Sequence, residues 1–282
     1  MKADRSTLFG IALVCWANLL LEVLITRLFS ATMFYHFTFM AVGLAMFGVA
    51  ASGVYVFLRG EAFLEDVQRH LRVHAQWFAV ATLGALLFAT KFPVFKGGKV
   101  PEMELGMILH LVGLVIATAL PFFFAGVVVS LSLTWFRNDV NRVYAFDLAG
   151  AAGGALLCGL VLGLFGGPTA VLVAATVGLV AGALFDKASR WRWIPVGAGV
   201  VLVAANLLSP LIRVGSVKWE YRLTFEKWNV FSRITVDKRL SIKIDAGAAT
   251  TINNLADLKP GLEKDKITAL ALATGTHRPT RC

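Results

Sequence analysis

The chain has 282 residues, of which 57% are hydrophobic and only 16% charged, with a formal net charge of +10. Soluble domains are about 45–50% apolar, so this composition excludes an ordinary water-soluble enzyme and indicates an integral membrane protein. The basic residues sit beside the ends of apolar runs rather than in one stripe, so no nucleic-acid partner is expected and the lipid bilayer is.

A membrane-crossing helix needs about 20 mostly apolar residues. Ser6–Leu21, Leu28–Leu58, Val73–Thr90, Leu105–Phe136, Leu148–Phe185 and Trp193–Ile212 contain no Asp, Glu, Lys or Arg. The first run exceeds secretory-leader length and no small-x-small cleavage site precedes a soluble domain, so it reads as a retained span. The run Leu148–Phe185 is too long for one crossing and carries Gly166-Gly167-Pro168 at its middle, a turn that divides it into two helices. The expected spans are 7–29, 36–58, 75–93, 105–134, 144–165, 168–185 and 193–210.

Within the first span, Glu22 and Arg27 are five residues apart and point about 140° from each other, so they are not expected to pair. An acid this deep in a span is a candidate for function or for inter-helix contact. Arg27, nearer the end, either snorkels to the interface or turns inward. His36, among Phe34, Tyr35 and Phe37, reads as part of an interfacial aromatic belt. The stretch Arg59–His74 mixes charges with Phe63, Leu64, Val67 and Leu71 at helical spacing, the pattern of an amphipathic helix on the membrane surface. Pro121 interrupts the fourth span and is expected to kink it.

The fifth span opens on Tyr144 and Asp147. Two roles are open to Asp147: an acid in the first turn, favoured by the helix dipole, or a buried contact with Arg27 or Arg142 that fixes the fifth helix against the first. Behind it, Gly150, Gly154, Gly159 and Gly163 recur largely at helical spacing and are expected to let two helix backbones approach closely. They are not a phosphate loop, since no soluble strand precedes them and no Lys-Ser/Thr follows.

Lys2, Arg5, Arg59, Arg69, Arg72, Arg137, Arg142, Lys187, Arg190 and Arg192 fall on one side of a seven-span arrangement, against Lys91, Lys96 and Lys99 on the other. By the positive-inside rule the N-terminus is cytoplasmic, in a membrane expected to be the bacterial cytoplasmic one. An odd span count then places the C-terminal segment outside. Cys15 and Cys158 lie within spans and Cys282 is terminal, which forms neither a disulfide framework nor a zinc spacing, and no metal site is expected.

From residue 213 the chain becomes charged and alternating. Phe231–Val236 and Leu240–Ile244 alternate apolar and polar residues around Asp237-Lys238-Arg239, the pattern of a β-hairpin. The expected fold is therefore an all-α polytopic membrane bundle of about seven transmembrane helices (1–212) followed by a small soluble segment containing a β-hairpin (213–282).

Several short patterns recur in order along the chain: Glu22 and Arg27, Tyr35-His36-Phe37, Pro121 and Gly126, then Tyr144-Ala145-Phe146-Asp147-Leu148-Ala149-Gly150-Ala151. Past the membrane come Trp228-Asn229-Val230-Phe231-Ser232-Arg233-Ile234 and the run Ile244-Asp245 to Ala249-Thr250. Together they resemble the membrane-anchored branch of the spermidine synthase-like, or polyamine aminopropyltransferase-like, proteins. The resemblance implies a multi-span region leading into a transferase domain of methyltransferase-like Rossmann fold, with decarboxylated S-adenosylmethionine or S-adenosylmethionine as cofactor.

It implies intramembrane functional candidates Glu22, Arg27, Tyr144 and Asp147. Its substrate-domain candidates are Trp228, Asn229, Ser232, Arg233, Asp245 and Thr250. The family's donor loop and catalytic Asp have no counterpart here: no strand with Gly-x-Gly follows Thr250, and the later acids are only Asp257, Glu263 and Asp265. A transfer needs a positioned donor and a base within reach of the amine. No catalytic residue is therefore assigned and no cofactor is expected in this chain alone. The expected partner is a soluble Rossmann-fold catalytic chain or domain, the tail being an incomplete or divided one. The alternatives are a small-molecule transporter and a membrane scaffold that recruits a soluble partner.

Overall fold

The computed structural model describes residues 3–33, 36–63, 65–92, 105–186, 189–215, 217–218, 220, 223–229, 232–238 and 241–251. Among the described residues the apolar runs become seven helices long and apolar enough to cross a membrane, the fifth and seventh counted together with the 3-10 turns Arg137–Asp139 and Arg190–Trp193 that open them. They are α1 (Arg5–Thr32), α2 (His36–Leu58), α3 (Val67–Lys91), α4 (Leu105–Trp135), α5 (Val140–Phe165), α6 (Gly167–Phe185) and α7 (Ile194–Leu208). Tyr35, Phe231 and the acids beyond Thr251 lie outside the described residues.

Helix α1 is the centre of the bundle. It packs against α2, α4, α5 and α6, and Leu8, Ile11, Val14, Ala17, Leu20, Leu21, Leu24 and Leu28 are buried along several of its faces. Asp4 caps its start by accepting from the Thr7 N–H at 3.2 Å, which satisfies one of the free amides of a first turn. Helices α1 and α5 run parallel at close range, because Gly150 lies on the Ala12 carbonyl and Gly154 on that of Trp16. A side chain at either position would enter the backbone of α1. Gly163 faces open space, so the small-residue contact covers the first half of α5 and not the whole expected stripe.

One expectation about the helices changes. The stretch before the third span is not a separate surface helix. Residues 60–63 form one 3-10 turn, and α3 begins at Val67, capped by Asp66, which accepts from the Arg69 N–H at 3.0 Å. The apolar spacing continues without a break through Leu71, Ala75 and Phe78, all buried, so the amphipathic start is the first part of the third helix itself. Helix α4 continues through Pro121 as one element of 31 residues.

At the N-terminal face, contacts distant in sequence tie the helix ends together. The Ala3 N–H donates to Asp139 at 2.9 Å, the Ser6 hydroxyl to the Leu184 carbonyl at 2.7 Å, and Arg72 pairs with Asp186 at 2.6 Å. The opposite face holds the end of α1, the turn at Gly166, the end of α7 and the soluble segment. Gly166 has φ 73°, a left-handed conformation that favours glycine, and permits the tight α5–α6 reversal.

The soluble segment contains more than one hairpin. Strands β1 (Leu223–Trp228), β2 (Arg233–Asp237), β3 (Ser241–Ile244) and β4 (Ala248–Thr251) form an antiparallel sheet in the order β1-β2-β3-β4. Register pairs Glu226 with Thr235, Trp228 with Arg233, and Thr235 with Lys243. These residues share one face, while Phe225, Ile234, Val236, Ile242 and Ile244 share the other. The polar face is the buried one: Arg233, Thr235, Asp237 and Lys243 are buried, whereas Phe225 is 52% and Ile244 48% exposed. An isolated sheet would be expected to do the reverse.

Candidate functional site

The polar face of the sheet gathers around Arg233, which is fully buried. Alternation along β2 aims Arg233 and Thr235 inward together. The guanidinium donates from Nε to Glu226 Oε1 at 2.8 Å and from one terminal nitrogen to both oxygens of Glu220 at 3.0 and 3.1 Å. Its other terminal nitrogen turns toward the carbonyls of Val214 and Gly215 at 3.5 and 3.3 Å. An arginine has five donors in a rigid fork, and two carboxylates with two carbonyls occupy that fork in full. Glu220 also accepts from the Thr235 hydroxyl at 2.6 Å and from the Val217 N–H at 3.1 Å. Glu226 accepts from the Trp228 indole N–H at 2.9 Å, and that indole lies 5.8 Å from the Arg233 guanidinium and against Gly167 of α6.

Asp245 extends the cluster: its carboxylate accepts the Arg233 backbone N–H at 2.8 Å, and its own N–H returns to the Arg233 carbonyl at 2.9 Å. Its main-chain carbonyl accepts from Lys218 Nζ at 2.9 Å. The same ammonium donates to the carbonyl of Ser30 in the last turn of α1 at 2.8 Å, so a cation sits at the negative end of a helix dipole. Burial of Lys218 pushes its ammonium below the ordinary lysine value, a displacement that Asp245 and Glu220 partly oppose. Lys218, Asp245 and Ala246 have φ of 50°, 50° and 53°, and all three meet at this junction. Such left-handed non-glycine residues persist only where surrounding contacts hold them.

Among the tail candidates, then, Trp228, Arg233 and Asp245 come together in one buried cluster. Asn229 and Ser232 do not enter it. They close the β1–β2 turn, where the Asn229 carboxamide accepts from the Ser232 N–H at 2.7 Å. Thr250 is exposed on the edge strand β4 opposite Ile242. Glu220, Glu226 and Lys218 complete the cluster without having been anticipated. Glu226 was legible in principle, since it lies two residues from Trp228 and therefore on the same face of a strand.

The intramembrane candidates do not form one site. Asp147 is half-buried and lies near the Cys15 thiol on α1, and among the described residues no hydrogen bond or ion pair joins it to Arg27 or Arg142. Arg142 pairs instead with Asp139 at 3.8 Å. Arg27 lies near Cys158, about 16 Å further along α5 from Asp147 at 1.5 Å per residue. Tyr144 is 53% exposed at the start of α5. Glu22 is half-buried, and among the described residues no hydrogen bond or ion pair reaches it. One turn before it, Asn18 keeps a buried Oδ1 without a partner among the described residues.

Among the described residues no three His, Cys, Asp or Glu side chains converge as metal ligands. The described strands form one sheet in which each neighbouring pair is antiparallel. Comparison of the chain with family models, with curated proteins and with solved structures finds no match.

Proposed function

We propose that the seven-helix bundle is a membrane anchor whose docked sheet carries a soluble catalytic unit of the spermidine synthase-like kind, either continuous with this chain or separate. The observation that supports this reading is the inversion of the sheet. Its polar face is buried against the linker, where Arg233 binds Glu220 and Glu226; Lys218 of that linker and Trp228 of the sheet reach the bundle at Ser30 and Gly167, and the sheet's apolar face, with Phe225 and Ile244, is turned out. A sheet in a two-layer domain buries its apolar face against another layer, and a catalytic unit would supply that layer. In this reading the N-terminus is cytoplasmic in a bacterial membrane and the sheet lies on the other side, following the excess of arginine at the N-terminal face.

The test is made on protein extracted from its native membrane. Aminopropyl transfer from decarboxylated S-adenosylmethionine to a diamine is expected in the wild-type preparation and lost in Phe225→Asp and Ile244→Asp, with the bundle's melting temperature unchanged. Polyamine flux through proteoliposomes that carry the purified chain would overturn it. Glu22 and the Asn18 oxygen, both without a partner among the described residues, are what favour that second reading, transport. Flux abolished by Glu22→Gln would establish it.

A further inference from the structure

A cleft of about 400 Å³ opens between the α7–β1 linker and the free edge of β1, lined by Arg213, Val214, Gly215 and Leu223 to Glu226. Volumes of this order accept small ligands or the head of a larger one. Two of its lining groups are charged and incompletely used. Arg213 is exposed and makes no hydrogen bond or ion pair among the described residues. Glu226 spends Oε1 on Arg233 and Trp228, and Oε2 has no partner among the described residues. A guanidinium and a carboxylate oxygen lining one cleft suit a ligand carrying both an anion and an ammonium.

The cleft adjoins the chain just past the C-terminal end of α7, a helix of membrane-span composition. Asn206, in the last turns of α7, donates to the Thr169 hydroxyl at 2.9 Å and accepts the Ile212 N–H at 2.6 Å, which folds the linker back onto the helix end and leaves Arg213 beside it. Leu207, Leu208 and Leu211 are exposed there, Leu208 at 88%, and Phe225, also exposed, lines the cleft. Guanidinium groups engage phosphate oxygens through paired hydrogen bonds, and an exposed apolar strip at the end of a span lies against acyl chains.

We propose that this cleft is the headgroup site of a phospholipid bearing both a phosphate and a primary ammonium, as phosphatidylethanolamine does. Arg213 receives the phosphate, Glu226 Oε2 accepts from the ammonium, and the acyl chains run along Leu207, Leu208 and Leu211. The site stands on the membrane embedding alone and does not depend on what the sheet carries.

Native mass spectrometry of the full chain in detergent tests it, with phosphatidylethanolamine, phosphatidylcholine and phosphatidylglycerol added in turn. Phosphatidylcholine lacks the N–H donors and phosphatidylglycerol lacks the ammonium, so each is expected to bind about tenfold more weakly than phosphatidylethanolamine, the loss of one charge-assisted contact. Arg213→Gln should lower phosphatidylethanolamine binding about tenfold, with Arg213→Lys between it and the wild type. The lipid-free melting temperature should stay the same, since Arg213 holds nothing else among the described residues. Equal binding of the three lipids, or a preference that survives Arg213→Gln, would overturn the site. Free phosphoethanolamine displacing the lipid at equal concentration would overturn the lipid assignment in favour of a soluble ligand.

Discussion

Replacing Arg233 with methionine removes a cation while nearly conserving apolar volume, and tests whether the sheet is held by the buried network. The guanidinium is inaccessible to solvent and serves two carboxylates, Glu220 being itself fully buried in its side chain. Losing it leaves Glu220 with the Thr235 hydroxyl and the Val217 N–H, and leaves Glu226 with the Trp228 indole. Breaking a buried pair from one side costs about 3–5 kcal/mol, chiefly through the uncompensated charge left behind. Methionine recovers part of that by burying its own side chain, so the lower end is expected.

At about 1.4 kcal/mol per factor of ten, this is roughly a hundredfold or greater loss of protection in the sheet. Hydrogen exchange read by mass spectrometry in lipid nanodiscs measures it, comparing peptides of β2 and β3 with those of α1. The triple change of Arg233 to Met, Glu220 to Gln and Glu226 to Gln should recover most of the protection, because it removes the stranded charges. Protection in β2 within threefold of wild type in Arg233→Met would refute the reasoning, and the sheet's position would then depend on Trp228 against Gly167 and on Lys218.

Three further predictions follow from the helices and the junction. Because the folded state depresses the Lys218 ammonium below its ordinary value of 10.5, the unfolded chain binds more protons in the window between the two values, and the sheet's docking should strengthen as pH rises through it. Hydrogen exchange corrected for intrinsic rates should show this alkaline slope, and Lys218→Met should abolish it. Gly154→Leu should destabilise the α1–α5 contact by at least the roughly 1–3 kcal/mol of an overpacked core, seen as a lower melting temperature in detergent, while Gly163→Leu leaves it unchanged. Asp147→Asn keeps an acceptor near the Cys15 thiol, so its melting temperature should lie within the shift of about 1 kcal/mol, whereas a larger fall would point to a charged partner.

The bundle was legible because lipid imposes a length and a composition on every span, and charge-free runs report both. What escaped was where the third helix begins. Residues 67–74 carry charges on an unbroken helical pattern, and only the Asp66 cap and the buried Leu71 show that one helix continues through them. In the tail, Trp228, Arg233 and Asp245 were legible as candidates, but the strands around them were undercounted. β1 carries Glu226 inward and Phe225 outward, so its apolar pattern points away from the bundle. The neighbour of Asp147 on α1, the Cys15 thiol, was not legible, because a thiol is not a residue that charge arithmetic proposes.

The bond between Lys218 and Ser30 joins residues 188 positions apart. Chains emerge at about 5–20 residues per second, so the Ser30 carbonyl is made roughly 10 to 40 s before the ammonium that caps it. Throughout that interval the central helix ends on an unmet acceptor, and six later helices must settle around it first. The sheet's own hairpins are local and form as soon as they are synthesised. The Lys218–Ser30 bond is thus one of the tail's links to the first helix that cannot form until the chain has been made through residue 218.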